Sequence, residues 1–206
     1  MDKLFRDVEG DCIAPQGSVV CIGAFDGLHR GHQALVGHVR ARARVLGLKA
    51  VALSFEPLPR EYFSPADPPA RLLLPRARFE GLCRLGMDAV GLLRFNAAMA
   101  AMSPEAFVEK VLVKRLAARE VWVGPGFRFG HRRAGDLATL QALGAQHGFE
   151  ATEVAVVADG GERVSASAVG GQQAAADQGA PAPAQGRRDA NPATRVRGQH
   201  RGRHHR

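Results

Sequence analysis

Through residue 169 the chain alternates short, wholly apolar runs with longer segments in which apolar residues recur at helical spacing. Val19-Val20-Cys21-Ile22 is a continuous apolar run stopped by Gly23, as expected of a strand buried on both faces. From His32 to about Leu46 the apolar positions Leu35, Val39 and Leu46 are separated by arginines, and Gly47 supplies the stop, which predicts a helix. Ala50 to Phe55 reads as a second buried strand, Pro75 to Leu85 as a helix ended by Gly86, and Ala89 to Phe95 as a third strand. Ser103 caps a helix that carries Pro104 at its first position and runs to about Ala117. Glu120 to Val123 reads as a fourth strand, Gly135-Asp136 opens a helix through Gln146, and Glu150 to Val157 reads as a fifth strand. Strands alternating with helices of this length predict an α/β fold, a mostly parallel sheet of about five strands with helices on both faces. Right-handed crossovers then bring every strand-to-helix loop to one edge of the sheet, where such folds bind ligands.

The pattern ends at Gly170. From there to Arg206 the chain has no Leu, Ile, Phe, Met, Trp or Tyr, and Val196 is its sole large aliphatic residue. Such a segment buries too little apolar area to offset its ordering entropy, so residues 170–206 are expected to be a disordered basic tail beside a domain of residues 1–169. Seven arginines against Asp177 and Asp189 place five of the chain's eight net positive charges in this tail. Three readings of it stand: a solvated tail, a nucleic-acid contact, or text from a shifted reading frame of GC-rich DNA. Nucleic-acid binding is the weaker of the first two, because there is no aromatic residue for base stacking.

Composition bounds the rest. The chain has 206 residues, 46% of them hydrophobic, enough for a core. No run approaches the roughly 18 consecutive apolar residues of a membrane span, and the charged start Met1 to Asp7 does not resemble a secretion signal. Cys12, Cys21 and Cys83 are scattered and odd in number, which argues against a disulfide framework and for a reducing, cytoplasmic setting. The sequence leaves oligomeric state open.

The loop after the first apolar strand concentrates the chemistry. It reads Gly23-Ala24-Phe25-Asp26-Gly27-Leu28-His29-Arg30-Gly31-His32. It lacks both the GxGxxG of dinucleotide sites and the Gly-Lys-Ser/Thr of a Walker loop. Gly23, Gly27 and Gly31 allow tight turning and close ligand approach. The helix that follows points free N–H groups and its positive end at the loop, and His29 and His32 add two imidazoles that can donate to phosphate oxygens. A metal site is the rival reading; without a nearby Cys, Asp or Glu at ligand spacing it is the weaker one, and no metal bound directly by the protein is expected.

This string resembles the HxGH signature of adenylyltransferases with a Rossmann-like nucleotidyltransferase fold. More specifically it is similar to the N-terminal FMN adenylyltransferase domain of the bacterial bifunctional riboflavin kinase/FAD synthetase family. Ser54-Phe55-Glu56-Pro57-Leu58-Pro59-Arg60-Glu61-Tyr62-Phe63 resembles that family's TFEPHPxxxF loop, and Leu93 to Val108 its F-N…L-S-x-E-x-F-V segment. Val123 to Gly130 with Arg133 to Asp136 resembles its VGxDFRFGxxRxGD loop, and Arg163 to Val169 the start of its I-S-S-T-x-I-R segment. The resemblance implies transfer of the adenylyl group of ATP, with Mg²⁺, to FMN, giving FAD and pyrophosphate. It implies that His29 and His32 are catalytic. Gly23, Phe25, Asp26, Gly27, Gly31, Ser165 and Ser167 would bind the nucleotide. Pro57, Pro59, Phe63, Gly124, Phe127, Arg128 and Phe129 would frame the flavin. Plainer roles stand beside these: Phe55, Phe129 and Trp122 as core residues, Pro57 and Pro59 as loop stiffeners, Arg128 and Arg133 as solvated cations.

The chain departs from the family pattern at four positions. Leu58 replaces a histidine, Gly126 an Asp or Asn, Ala166 a serine and Gly170 an arginine. A nucleotide- or flavin-binding protein with lost turnover is therefore the alternative reading. A related pantetheine-phosphate or nicotinamide-mononucleotide adenylyltransferase is opposed by the Phe-Asp-Gly and Phe-Arg-Phe-Gly strings. The family's riboflavin kinase domain is expected to be absent, because a chain of this length does not hold both.

Overall fold

The computed structural model describes residues 3–154. Six strands form one sheet: β1 (Leu4–Phe5), β2 (Ser18–Ile22), β3 (Lys49–Glu56), β4 (Ala89–Arg94), β5 (Ala118–Val123) and β6 (Glu150–Glu153). Their spatial order is β1-β4-β3-β2-β5-β6, and every adjacent pair is parallel. The helices α1 (Arg30–Leu46), α2 (Pro59–Tyr62), α3 (Pro75–Arg84), α4 (Ala97–Ala100), α5 (Pro104–Phe107) and α6 (Leu137–His147) lie between the strands. From β2 the chain steps outward through α1 to β3 and through α3 to β4. It then returns to the other side of β2 to lay down β5 and β6. The direction of winding thus reverses between β2 and β5. The loops leaving those two strands diverge there, at the crevice where open parallel sheets bind ligands.

Strand periodicity builds two cores. Val19 and Cys21 of β2, Ala50 and Ala52 of β3 and Val90 and Leu92 of β4 face α1 and α3, meeting Leu35, Val36, Val39 and Leu82. Val20, Ile22, Val51, Leu53, Val121 and Val123 face the opposite way, against Phe107, Val111, Leu112, Leu140 and Leu143. All five residues of β2 are buried. Gly47 and Gly148 close α1 and α6 with left-handed φ of 65° and 80°, a conformation that glycine reaches without steric cost. Ser103 and Asp136 cap their helices by accepting from the N–H groups of Ala106 and Thr139.

The expected α/β architecture is present, with the short helices α2 and α4 added and several boundaries moved. The sheet has six strands rather than about five, because Leu4–Phe5 pairs with Val90–Gly91 from within a polar N-terminal stretch. The first helix begins at Arg30 rather than His32, since His29 already occupies the extended capping position. The helix after Ser103 keeps α geometry only through Phe107 and continues to Arg115 as a π-helix. The fourth strand begins at Ala118, two residues early, because Ala118 pairs with Ser18. The last residues of the fifth predicted strand, Ser165, Ser167, the boundary at Gly170 and the basic tail lie outside the described residues. Among the described residues no helix is long and apolar enough to cross a membrane.

Candidate functional site

The turn from β2 into α1 is tightly constrained. Within four residues Phe25, Gly27 and Leu28 take φ of 51°, 87° and 41°. Left-handed backbone at Phe25 and Leu28 is costly and persists where surrounding contacts hold it. Phe25 is fully buried and meets the His32 ring edge-on at 5.2 Å between centroids. A Cβ on Gly23 would press against the Phe25 ring at 3.2 Å, and one on Gly27 would overlap Leu72 at 2.8 Å. The glycines at 23 and 27 therefore serve packing of the turn as well as its curvature.

The imidazoles of His29 and His32 stack, with centroids 3.8 Å apart and planes 25° from parallel. His32 is held neutral: burial, and then the proximity of His29, push its pKa down to about 4, against a smaller opposing pull from Asp26. Its Nδ1 is buried without a hydrogen-bond partner. His29 stands exposed at the capping position of α1 and caps nothing with its side chain, and the first turn of α1 carries no acidic residue. The positive end of a 17-residue helix thus opens beside two imidazoles without a carboxylate competing for it.

Asp26, expected among the nucleotide-binding residues, has its carboxylate turned inward. One oxygen, Oδ1, accepts from the backbone N–H of Leu72 at 3.0 Å and of Leu73 at 2.8 Å. Oδ2 pairs with Arg60. Burial alone would raise its pKa, but the two N–H groups and the nearby cations Arg60 and Arg78 outweigh it and lower it. Asp26 is therefore a staple between the turn and the 70–73 segment.

The loop after β3 is held by a second set of charges. Glu61 accepts from the N–H of Leu58, and Arg71 bridges Glu61 and Glu56. Arg78, reaching from α3, donates to Glu56 and to the carbonyls of Ala24 and Phe55. Leu58, where the family pattern has histidine, is 1% exposed and packs inward. Pro57 and Pro59 are half-buried; the Glu56–Pro57 peptide is cis and Pro59 opens α2.

An aromatic row crosses the same edge of the sheet. Phe63, 65% exposed, meets Phe95, which meets Phe55, then Phe107, then Phe129, with neighbouring centroids 5.7 to 6.3 Å apart. Phe127 stacks on Phe129 at 5.5 Å. The flavin-side residues are thus not equivalent. Phe63 and Phe127 have surface to offer, whereas Phe129 is in the core and supports Phe127. Tyr62 and Phe95 join the row although sequence reasoning gave them no role; the aromatic spacing of residues 55, 62, 63 and 95 was the available signal. Trp122 is a core residue whose indole N–H is taken by Glu120.

The loop after β5 is closed by Phe129 and Gly135, which exchange both backbone hydrogen bonds. Gly130 lies so close to Pro104 that a Cβ would sit 2.7 Å from its ring. Gly124 and Gly126 border open space, and Gly126 has φ +68°. Arg128 is 46% exposed and lies 3.5 Å from Asp136, and Arg133 is exposed. A separate concavity of about 670 Å³, lined in part by Arg42, Arg119 and Phe149, opens at the N-terminal edge of the strands, away from all these loops. Its Glu120 is satisfied by Arg42 and Trp122.

Residues 12–168 match the family model described as FAD synthetase. The chain is 40% identical over 176 residues to the bifunctional riboflavin kinase/FMN adenylyltransferase of Escherichia coli (strain K12), covering 85% of this chain and 56% of that one. It is 41% identical over 162 residues to the protein of the same name from Pseudomonas fluorescens, covering 79% of this chain and 52% of the other. A crystal structure described as a macrolide-efflux protein from Streptococcus pneumoniae superposes with a TM-score of 0.64 at 26% identity, over 74% of this chain and 49% of that one. The chain spans about half the length of the curated relatives it matches. With the match to the family model running from the strand before the turn to beyond the last described strand, the chain belongs to the FAD synthetase family.

Proposed function

We propose that this chain transfers the adenylyl group of ATP to FMN, forming FAD and releasing pyrophosphate. The observation that carries the reading is the acid-free positive end of α1, opening beside the stacked His29 and His32 at the point where the sheet reverses direction. In the reaction a phosphate oxygen of FMN attacks the α-phosphorus of ATP in line. The P–O bond to the β-phosphate breaks, and pyrophosphate leaves with the electron pair. No covalent enzyme intermediate is required, so the protein contributes positioning and charge stabilisation.

His29 and the first N–H groups of α1 would hold the phosphates, with Gly23, Gly27 and Gly31 allowing the backbone to come close. His32, neutral across the physiological range, would donate a hydrogen bond without adding charge. Phe25 would act from behind the His32 ring and Asp26 by fixing the turn. Ser165 and Ser167 complete the expected nucleotide site on the grounds of resemblance. Pro57, Pro59, Phe63, Gly124, Phe127 and Arg128 would line the flavin, backed by Phe129, since a flat ring system favours apolar and aromatic walls. Mg²⁺ would arrive with ATP and shield its phosphates. Among the described residues no three His, Cys, Asp or Glu side chains converge to hold a cation of their own. The expected setting is the cytoplasm.

The test is direct: purified protein with ATP, FMN and Mg²⁺ is assayed for FAD by chromatography, alongside ATP binding by calorimetry. FAD formation that His29→Ala abolishes is expected. ATP binding with no FAD from the unmodified chain would overturn the proposal.

A further inference from the structure

We propose that Arg78 is a positioning residue for adenylyl transfer, locking the His29–His32 turn to the loop that follows β3. The proposal rests on the FMN adenylyltransferase reading above.

Arg78 belongs to neither loop. It sits on α3, and its side chain is 0% exposed. A fully buried arginine is rare, because removing a guanidinium from water is costly unless its donors are met. Here the two terminal nitrogens tie the turn after β2 to the end of the neighbouring β3, while Nε is buried without a partner among the described residues. Nη1 donates to the carbonyl of Ala24, in the turn, at 3.1 Å. Nη2 donates to the carbonyl of Phe55 at 3.0 Å and to Glu56 Oε2 at 2.6 Å, at the end of β3. The Ala24 carbonyl also accepts from Ser54 Oγ at 3.0 Å, so the first residues of the turn are referenced to β3 twice. Glu56 passes its other oxygen to Arg71 at 2.9 Å, and Arg71 continues to Glu61. A second contact joins α3 to the same turn: Leu28, at φ 41°, lies against Gly81, where a Cβ would come within 2.3 Å of its side chain.

A planar guanidinium with several donors in fixed directions sets distance and angle together, which a flexible ammonium does not. The two segments it joins are those proposed to carry the two substrates. In-line transfer depends on holding the attacking oxygen and the α-phosphorus in register. Each substrate would still find its own half-site if the lock were removed, but the halves would no longer face each other at the reacting distance. The loss should therefore fall on kcat, with little change in either binding constant.

The experiment uses the full chain and the variants Arg78→Met, Arg78→Lys and Glu56→Gln, with Arg84→Ala, an exposed residue of the same helix, as control. FAD formation gives kcat and both KM values, calorimetry gives the ATP affinity, flavin fluorescence gives the FMN affinity, and thermal melts report stability. A displacement of about 1 Å at the reacting atoms corresponds to roughly 100-fold in rate, so Arg78→Met should lower kcat by about 30- to 100-fold while both affinities stay within about threefold. Arg78→Lys should recover part of that loss, and Glu56→Gln, which leaves both backbone acceptors in place, should fall between. If Arg78→Met does not fold, Glu56→Gln and Arg78→Lys carry the test. Folded variants whose kcat is unchanged would overturn the proposal. So would affinities that weaken in step with the melting temperature while kcat holds. Absence of FAD from the unmodified chain would instead remove the reading beneath it, and the proposal with it.

Discussion

Asp26 offers the sharpest test of how the turn is held. Its Oδ1 takes two backbone N–H groups from a segment 46 and 47 residues away, and its side chain is 6% exposed. Asp26→Ala removes both charge-assisted bonds and leaves the donors to find water, at about 1.5 kcal/mol each. The ion pair with Arg60 adds little, because Arg60 is 47% exposed; such pairs contribute roughly 0.5 kcal/mol. The sum is about 3 to 3.5 kcal/mol, and with a urea dependence near 2 kcal/mol per molar the unfolding midpoint should fall by about 1.5 M. Asp26→Asn keeps a carbonyl oxygen that can accept both N–H groups and loses the charge, so its fall should be about 0.5 M. The same comparison has a pH arm. The carboxyl titrates lower in the folded chain than unfolded. Its contribution is complete above the unfolded value near 3.9, and it disappears as pH falls through the folded value. The unmodified chain should lose stability on acidification below about pH 4 by a component that Asp26→Asn lacks. Midpoints for both variants within about 0.2 M of the unmodified chain would show that the carboxylate is not a staple.

Three further outcomes are expected. Gly126→Asn should leave the melting temperature nearly unchanged, because asparagine tolerates left-handed backbone and open space surrounds the site, and it should strengthen FMN binding measured by flavin fluorescence if the family's side chain at this position serves the flavin. Gly130→Ala should destabilise by about 2 kcal/mol in a urea titration, since the added carbon meets Pro104 and φ is +74°; a change under about 0.5 kcal/mol would contradict that packing. His32 should show no proton NMR titration between pH 5 and 8, its pKa being held down to about 4. The unfolded histidine takes its proton near pH 6.5 and the folded one only near 4, so stability should decline as pH drops through that window and His32→Gln should flatten the decline. A measured pKa above 6 for His32 would refute the buried stack.

Much of the architecture was legible because its determinants are local. The centres of β2 and β3 are almost wholly apolar, Gly47 marks the end of α1, and Ser103 and Asp136 sit one residue before the helices they cap. The π geometry from Val108 to Arg115 has no comparable local mark, since the residues on the buried face are the ones an α-helix would also bury. The candidate site divides in the same way. His29 and His32 were visible because the spacing itself is the chemistry. The structural work of Asp26 was not visible because its partners, Leu72 and Leu73, are distant in sequence and contribute only backbone. Arg78 was invisible among Arg76, Arg84 and the other polar residues of its helix, and only its burial sets it apart. Gly126 read as a missing side chain; the structure adds that its backbone keeps a conformation in which asparagine is at home.

The burial of β2 on both faces and along both edges has a consequence for measurement. Its amide protons should exchange with solvent only through global unfolding, whereas the turn it launches exposes Ala24, His29 and Arg30 and is expected to exchange by local opening. In a deuterium-exchange experiment Val19 to Ile22 would therefore stay silent on the timescale at which Ala24 to Gly31 exchanges. Slowing of exchange at the turn on adding a nucleotide would stand against that fixed background, and it would report occupancy of the crevice without any need for turnover.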